Sequence, residues 1–208
     1  MNHRVVGILA MALLALSACS SVTTPTQVNH FYLISALTEQ DPGQQASQPI
    51  VADHGPTVEI APVTLPSYLN RPHIVTRRQA DQLDISESHQ WGGELAENLS
   101  RVLEENLALL LQTHRIVEPR QRLLLPADLR VTVQILHFER SGDHNVQLIA
   151  RWRLSRRDRT EPLLTRRSDL RIPIAADAGY PTIVAAMSQA FAALTREMAT
   201  EITRMGKL

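Results

Sequence analysis

The chain has 208 residues, of which 44% are hydrophobic and 20% are charged, as in an ordinary globular protein. Lysine and arginine together number 21, and so do aspartate and glutamate, so no bulk charge points to nucleic acid as a partner. At this length we expect one domain, or one domain with tails, that buries its own core without disulfides.

The first 18 residues have the features of a secretory signal peptide. His3 and Arg4 form a cationic start, and the apolar run Val5–Leu16 is shorter than the roughly 20 residues that span a bilayer. The only cysteine, Cys19, follows Leu16-Ser17-Ala18, which fits the bacterial lipobox. We therefore predict cleavage before Cys19, which would carry a thioether-linked diacylglycerol and an N-acyl chain. The alternative is a secreted protein with a chance cysteine near the cleavage site.

Residues 19–27 are small and polar after the cysteine, and they are predicted to form a lipidated tether. Several acyl chains anchor a protein stably, whereas one does so marginally. Ser20, rather than aspartate, follows the cysteine, which favours sorting to the outer membrane. We expect residues 28–208 to form a single domain on the periplasmic face of that membrane.

The first half of this domain is predicted to contain short strands. Strand-like patterns occur at Val28–Ile34 and Thr57–Val63, with two shorter ones at 74–76 and 83–85. The polar stretch Thr38–Pro56 is rich in glutamine, glycine and proline and predicts a long loop.

Two amphipathic helices and a hairpin are predicted after these strands. Apolar residues at helical spacing predict helices over 94–112 and 181–205. Alternating patterns at 129–135 and 146–154 predict an antiparallel hairpin, and a third strand is expected at 163–174. This order of elements predicts an α+β fold, with a largely antiparallel sheet and both helices packed on one of its faces.

The sequence carries no recognisable catalytic or metal-binding motif. There is no H-E-x-x-H, no G-x-S-x-G, and no pair of histidines at metal-ligand spacing. Gly92 and Gly93 lack the further glycines of a phosphate-binding loop. We therefore predict a protein that is not an enzyme, without catalytic residues, a metal, or any cofactor beyond the acyl chains on Cys19.

Arginines are concentrated near the predicted hairpin. Eight arginines and three acidic residues lie between positions 151 and 171. Arg151 and Arg153 share one strand face, opposite Trp152 and Leu154. This face is either an ordinary solvated surface or a basic surface for an acidic protein partner or lipid headgroups. Export excludes RNA as the partner.

A second candidate contact region is a proline-bounded turn. Pro66 and Pro72 fix the backbone on either side and restrict the residues before them. Tyr68 and Leu69 lie between these two points, either pinned into the core or held outward. The outward alternative makes Tyr68, Leu69 and Arg71 candidate partner-contact residues.

This turn also carries a family resemblance. The stretch 60–77, IAPVTLPSYLNRPHIVTR, resembles the I-x-x-V-x-L-P-x-Y-L-[DN]-R-P-x-I-V-x-R pattern of the ABC-type transport auxiliary lipoproteins, the PqiC (YmbA) family. Phe31-Tyr32-Leu33 is similar to the opening strand of that family, and Trp91 lies where the family has a tryptophan. Gly92-Gly93-Glu94 replaces the proline that often follows it.

The resemblance implies an outer-membrane lipoprotein that works with an inner-membrane component and a periplasm-spanning MCE-domain protein in intermembrane lipid transport. Its implied role is to dock the MCE protein at the outer membrane, with a homo-oligomeric ring as a further expectation. Two alternatives remain open. One is a lipid-binding carrier with a cavity lined by Met187, Phe191, Met198 and Met205, although such a row is commonly core packing. The other is an assembly or activator lipoprotein of another envelope machine.

Overall fold

The computed structural model describes residues 28–38, 56–117, 127–142, 144–156 and 161–205. The predicted signal peptide and tether, together with most of the predicted long loop, lie outside these residues.

Eight strands and two helices lie within the described residues. The strands are β1 (His30–Tyr32), β2 (Val58–Ile60), β3 (His73–Gln79), β4 (Gln82–Trp91), β5 (Ile116–Val117), β6 (Leu129–Ser141), β7 (Asn145–Arg156) and β8 (Pro162–Pro173). The helices are α1 (Leu95–Leu111) and α2 (Tyr180–Met205). The predicted α+β class is confirmed, and both helices begin and end within one residue of the predicted positions.

The sheet is built around β6, which spans 13 residues. One edge of β6 pairs along its whole length with β7, and β8 adds to β7; both pairings are antiparallel. The other edge of β6 is shared, because β2 pairs with its first residues and β3 with its last. From there the sheet continues through β2 to β5 and through β3 and β4 to β1.

The sheet is mixed, although its longer pairings are antiparallel as predicted. The short pairings of β1 with β4, β2 with β5, β2 with β6 and β3 with β6 are parallel. Parallel neighbours need a long crossover connection, and between β2 and β5 that connection contains α1. An alternating pattern reports which face of a strand is buried and carries no information about strand direction, so these pairings were not foreseen.

The two helices pack on each other, and α2 also packs on β7 and β8. The apolar face predicted for α2 is buried throughout: Ile183, Val184, Met187, Phe191, Leu194, Met198 and Ile202. Helix α1 buries most of its predicted stripe, with Leu110 half-buried: Leu95, Leu99, Val102, Leu103 and Leu107. These residues join the inward residues of the sheet in one hydrophobic cluster. Met187, Phe191 and Met198 therefore pack in the core, and Met205 is half-buried.

Candidate functional site

The turn predicted between two prolines covers residues 66–72 and lies between β2 and β3. The Leu69 N–H donates to the Pro66 carbonyl at 3.0 Å, which closes the turn. The Trp91 N–H donates to the Pro72 carbonyl at 2.7 Å, which ties the end of the turn to β4. Because prolines fix φ at both ends, the turn holds one position against the sheet.

Tyr68 points from this turn towards a buried carboxylate, Glu139 of β6, which is 1% exposed. The Tyr68 hydroxyl donates to Glu139 Oε2 at 3.0 Å, and Arg77 Nε donates to Glu139 Oε1 at 2.8 Å. The Phe138 N–H adds a third hydrogen bond, to Oε2 at 2.6 Å. His137 Nδ1 also lies 3.3 Å from Oε1, so the buried carboxylate has hydrogen-bond partners at both oxygens.

The same contacts fix the protonation of the two side-chain donors. Burial and the charge of Glu139 raise the pKa of the Tyr68 hydroxyl, which stays a proton donor. Burial alone would lower the pKa of Arg77, but its hydrogen bond to Glu139 and the charge of that carboxylate outweigh it and raise the pKa. Tyr68 and Arg77 thus keep their protons and fasten the turn and β3 to Glu139 of β6.

The three candidate partner-contact residues of the turn differ in how accessible their side chains are. Leu69 is 3% exposed and lies in the core cluster, so its side chain is not accessible to a partner, and the pinned alternative holds for it. Tyr68 is half-buried, with its hydroxyl engaged by Glu139. Arg71 is half-buried, and its Nε is a buried nitrogen without a hydrogen-bond partner in the described part of the chain. A partner-contact role for Tyr68 and Arg71 stays a prediction.

The outward face of β7 and β8 carries the arginines predicted as a basic surface. Arg151 and Arg153 are exposed and alternate with buried Trp152 and Leu154. Arg167 of β8 is exposed and lies directly opposite Arg151. None of these three arginines forms an ion pair within the residues that the structure describes. We call Arg151, Arg153 and Arg167 the arginine face.

Like charges directly opposite each other on neighbouring strands are destabilising, so the pairing of Arg151 with Arg167 calls for an explanation. Arg167 was missed because a run of arginines in a sequence does not show which of them share a face. The β7–β8 register supplies that information. A hydrogen bond from Gln147 and the charges of Arg171 and Arg167 lower the pKa of the exposed Asp169 carboxylate on β8, so this carboxylate offsets part of the repulsion.

On the side of the sheet opposite the arginine face, two consecutive hydrogen bonds connect β7 and β8 to α2. Trp152 Nε1 donates to Ser168 Oγ at 3.0 Å, and that hydroxyl donates to Glu197 Oε2 of α2 at 2.5 Å. Trp152 is fully buried. Since Trp152 lies between Arg151 and Arg153 in β7, both arginines project from a rigid backbone.

The first described residues form a second distinctive surface, which we call the N-terminal segment (residues 28–38). After β1 the chain leaves the sheet and is bound by asparagines of α1. Asn98 accepts a hydrogen bond from the Ile34 N–H at 2.7 Å and donates to the Ile34 carbonyl at 3.2 Å. Asn106 accepts from the Leu37 N–H at 2.7 Å. Ile34 itself is fully buried, so this segment is docked onto α1 through side chains that recognise its backbone.

An aromatic stack fixes the other end of the N-terminal segment. His89 of β4 stacks on Tyr180 of α2 with ring centroids 3.9 Å apart, and His30 stacks on His89 at 5.0 Å. Tyr32 shares a hydrogen bond of 2.9 Å with His89 Nδ1. Burial lowers the pKa of His89, and the neighbouring His30 lowers it further. A neutral His89 thus links β1 to the beginning of α2.

Other chemical features were sought among the described residues. No group of three or more histidine, cysteine, aspartate or glutamate residues is arranged there to hold a metal ion. Neither helix within those ranges combines the length and apolarity needed to cross a bilayer. An open groove of about 410 Å³ is lined by Leu110, Arg196, Ala199, Thr200 and Thr203, away from the methionine row. Cys19, the predicted lipid attachment site, lies outside the described residues.

Three solved structures are similar to this chain, and the first two share its fold. A crystal structure of an uncharacterized protein matches 84% of this chain and 99% of its own, with 19% identity and a TM-score of 0.64. A Xanthomonas campestris protein of the DUF330 family matches over 82% of this chain and 92% of its own, with 14% identity and a TM-score of 0.62. The PelC dodecamer from Paraburkholderia phytofirmans matches 68% of this chain and 87% of its own, with 7% identity and a TM-score of 0.42. A comparison with curated proteins found no match.

The first two structures define the class by fold alone, an α+β domain like this one. The family follows from the sequence. The model of the ABC-type transport auxiliary lipoprotein component matches residues 37–199, which is most of the chain. The chain therefore belongs to the ABC-type transport auxiliary lipoprotein family, as its motif at 60–77 predicted.

Proposed function

We propose that this protein is an outer-membrane lipoprotein that docks a periplasm-spanning MCE-domain protein, and with it an inner-membrane component, during intermembrane lipid transport. Cys19 carries the diacylglycerol and the N-acyl chain, and the domain faces the periplasm. The protein does no chemistry on the lipid in this role. A homo-oligomeric ring is part of the same proposal.

The observation that carries this proposal is the family match, which assigns an auxiliary lipoprotein role in transport. The arginine face supports it, since these three exposed arginines, none in an ion pair among the described residues, fit an acidic protein surface. The lipobox at residues 16–19 supports the anchor. The carrier alternative draws no support from the methionine row, because Met187, Phe191 and Met198 are buried in the core.

Photocrosslinking in cells tests the docking surface. A photoreactive residue at Thr165, which is exposed and lies opposite Arg153, should crosslink to an MCE-domain protein. The same probe at Glu87, exposed on β4, is the matched control and should not. The double substitution Arg151→Glu and Arg153→Glu should abolish the crosslink, because it reverses the charge of the surface. Capture of cell-wall enzymes instead of an MCE protein would favour the activator alternative.

Two mass-spectrometric measurements test the lipid anchor and the carrier alternative. Intact mass of the native protein should show cleavage before Cys19 and the added acyl chains, and Cys19→Ser should abolish both. Lipid extraction from the purified domain should be blank for a docking protein, whereas a stoichiometric lipid would establish the carrier. An unacylated chain that retains its leader would overturn the anchor and the localisation together.

A further inference from the structure

The N-terminal segment exposes large apolar side chains that the docking function does not use. Val28, Phe31 and Leu33 are 67%, 64% and 51% exposed, and they are three of the five large hydrophobic residues exposed in the described part of the chain. Single exposed apolar residues are ordinary, whereas three within six consecutive residues mark a surface that contacts something. We call Val28, Phe31 and Leu33 the apolar edge.

The apolar edge is held in place by its backbone. Phe31 lies in β1, paired with Gln90 of β4. Leu33 lies over Gly92, where a Cβ would be 3.4 Å from the Leu33 side chain. Because Ile34 is buried and bound by Asn98, the alternation of the extended chain turns Phe31 and Leu33 outward. These side chains are therefore displayed by a fixed strand at one end of the sheet.

The position of this edge in the chain indicates what covers it. Nine residues lead from Cys19 to Val28, which limits the distance between the two to about 30 Å even when fully extended. The first described residues are thus the part of the domain nearest along the chain to the lipid anchor. Residues 28–38 include no Asp, Glu, Lys or Arg, so this segment itself brings no carboxylate, ammonium or guanidinium group to the bilayer.

We propose that Phe31 and Leu33, together with Val28, insert into the boundary between headgroups and acyl chains of the membrane that holds Cys19. This inference rests on the proposed lipid anchor. Aromatic and apolar side chains are stabilised at that depth. The acyl chains keep the protein on the membrane, and the apolar edge fixes its orientation there. In this orientation β1 is the strand of the sheet that faces the bilayer.

A fluorescent label beside the edge tests this orientation. In the full lipidated protein, Asn29→Cys provides the only free thiol, because Cys19 is acylated, and it is labelled with an environment-sensitive NBD group. The protein is reconstituted into phosphatidylethanolamine–phosphatidylglycerol vesicles with and without spin-labelled lipids. We expect strong quenching by the spin-labelled lipids at position 29 and none from the same label at Thr165→Cys, since β8 is at the other end of the sheet.

Variants of the edge give the decisive comparison. Phe31→Ser combined with Leu33→Ser should lose the quenching at position 29 while the protein stays on the vesicles through its acyl chains. The matched control, Ile85→Ser combined with Leu163→Ser, removes two exposed apolar residues elsewhere and should retain the quenching. Thermal unfolding of each variant verifies that it is folded.

Each contrary outcome has a distinct meaning. Equal quenching in the edge variant and the parent protein would overturn the inference, and so would an unquenched label in the parent. Protection of the label that rises with protein density on the vesicle would assign the edge to a second copy of the chain and overturn bilayer insertion. Failure of the parent protein to stay on vesicles would instead refute the lipid anchor, and with it the proposed function.

Discussion

Glu139 is a buried charge that holds the proline-bounded turn at 66–72 in place. Its carboxylate is almost completely buried and accepts hydrogen bonds from Tyr68, Arg77 and the Phe138 N–H. Leaving a buried carboxylate without donors costs several kcal/mol, so these donors hold the turn in place. Tyr68 therefore contributes to stability whether or not it also touches a partner.

Replacing Tyr68 by phenylalanine tests this role. Tyr68→Phe keeps the ring but removes one hydrogen bond to a charged acceptor, so we expect the free energy of unfolding to fall by about 2 kcal/mol. Urea unfolding measures the change. Ser67→Ala, at an exposed position of the same turn, is the control and should leave the stability unchanged. A loss no larger than that of the control would show that Glu139 does not depend on Tyr68.

His89 makes stability depend on pH in a defined direction. Its pKa is lowered from 6.5 by burial and by His30, so the unfolded chain binds this proton more tightly than the folded protein. The stabilisation is fully present above pH 6.5 and is lost as the pH falls through the lowered folded pKa. The groups packed around the ring are His30, Tyr32 and Tyr180, which are not carboxylates.

The expected outcome is a free energy of unfolding that decreases between pH 7 and pH 5, with a smaller slope in His89→Gln. Denaturant unfolding at several pH values measures both slopes. The variant also loses its stacking on Tyr180, so the slope and not the absolute stability is the readout. Identical slopes in the two proteins would mean that His89 is not the group responsible.

Helices and strands could be predicted from regular patterns within a segment of the sequence. Contacts between segments far apart in the sequence could not be predicted. Both helices and the β6–β7 hairpin follow from local spacing, because a helix or hairpin buries a face that its own sequence defines. The strand predicted at Val28–Ile34 is shorter in the structure, His30–Tyr32, because Ile34 leaves the sheet to bind Asn98. Nothing near Ile34 in the sequence signals that asparagine.

In the candidate site, too, features set by local sequence could be predicted, whereas those set by distant residues could not. Alternation correctly placed Arg151 and Arg153 on an exposed face, since burial of Trp152 between them fixes their direction. The prolines predicted a turn at 66–72 but could not tell which way it faces. That direction is set by Glu139, which lies 71 residues from Tyr68 in the sequence.

Docking of the N-terminal segment depends on Asn98, which satisfies both backbone groups of Ile34. Asn98→Ala would leave a buried N–H and a buried carbonyl without partners, at a combined cost of about 3 kcal/mol. We expect residues 28–38 to open locally, with faster hydrogen exchange at the amides of Ile34 and Leu37. Exchange measured by mass spectrometry or NMR gives the change.

Two further variants sharpen the measurement at Asn98. Asn98→Asp can still accept from the Ile34 N–H but cannot donate to its carbonyl, so its effect should be intermediate. Glu97→Ala alters an exposed neighbour in the same turn of α1 and serves as the control. Unchanged exchange in Asn98→Ala would show that burial of Ile34 alone retains the segment.

Across the whole molecule, the two surfaces lie at opposite ends of one sheet. The path β1–β4–β3–β6–β7–β8 places four strands between the N-terminal segment and β8. At about 4.8 Å per neighbouring pair, this path measures roughly 24 Å along the sheet. If the domain meets the bilayer at β1, the arginine face lies further along the sheet and is left accessible to the proposed periplasmic partner.

This arrangement predicts a trade-off between stability and binding at the arginine face. Arg167→Glu would replace a like-charged pair with an ion pair across β7 and β8, opposite Arg151. We expect the free energy of unfolding to rise by about 0.5 kcal/mol, while capture of the MCE protein weakens because the surface loses positive charge. Thr165→Glu, facing Arg153, should change both quantities in the same directions, and denaturant unfolding with pull-down measures each. Stabilisation without weaker capture would make the face an ordinary solvated surface and would place the docking site elsewhere.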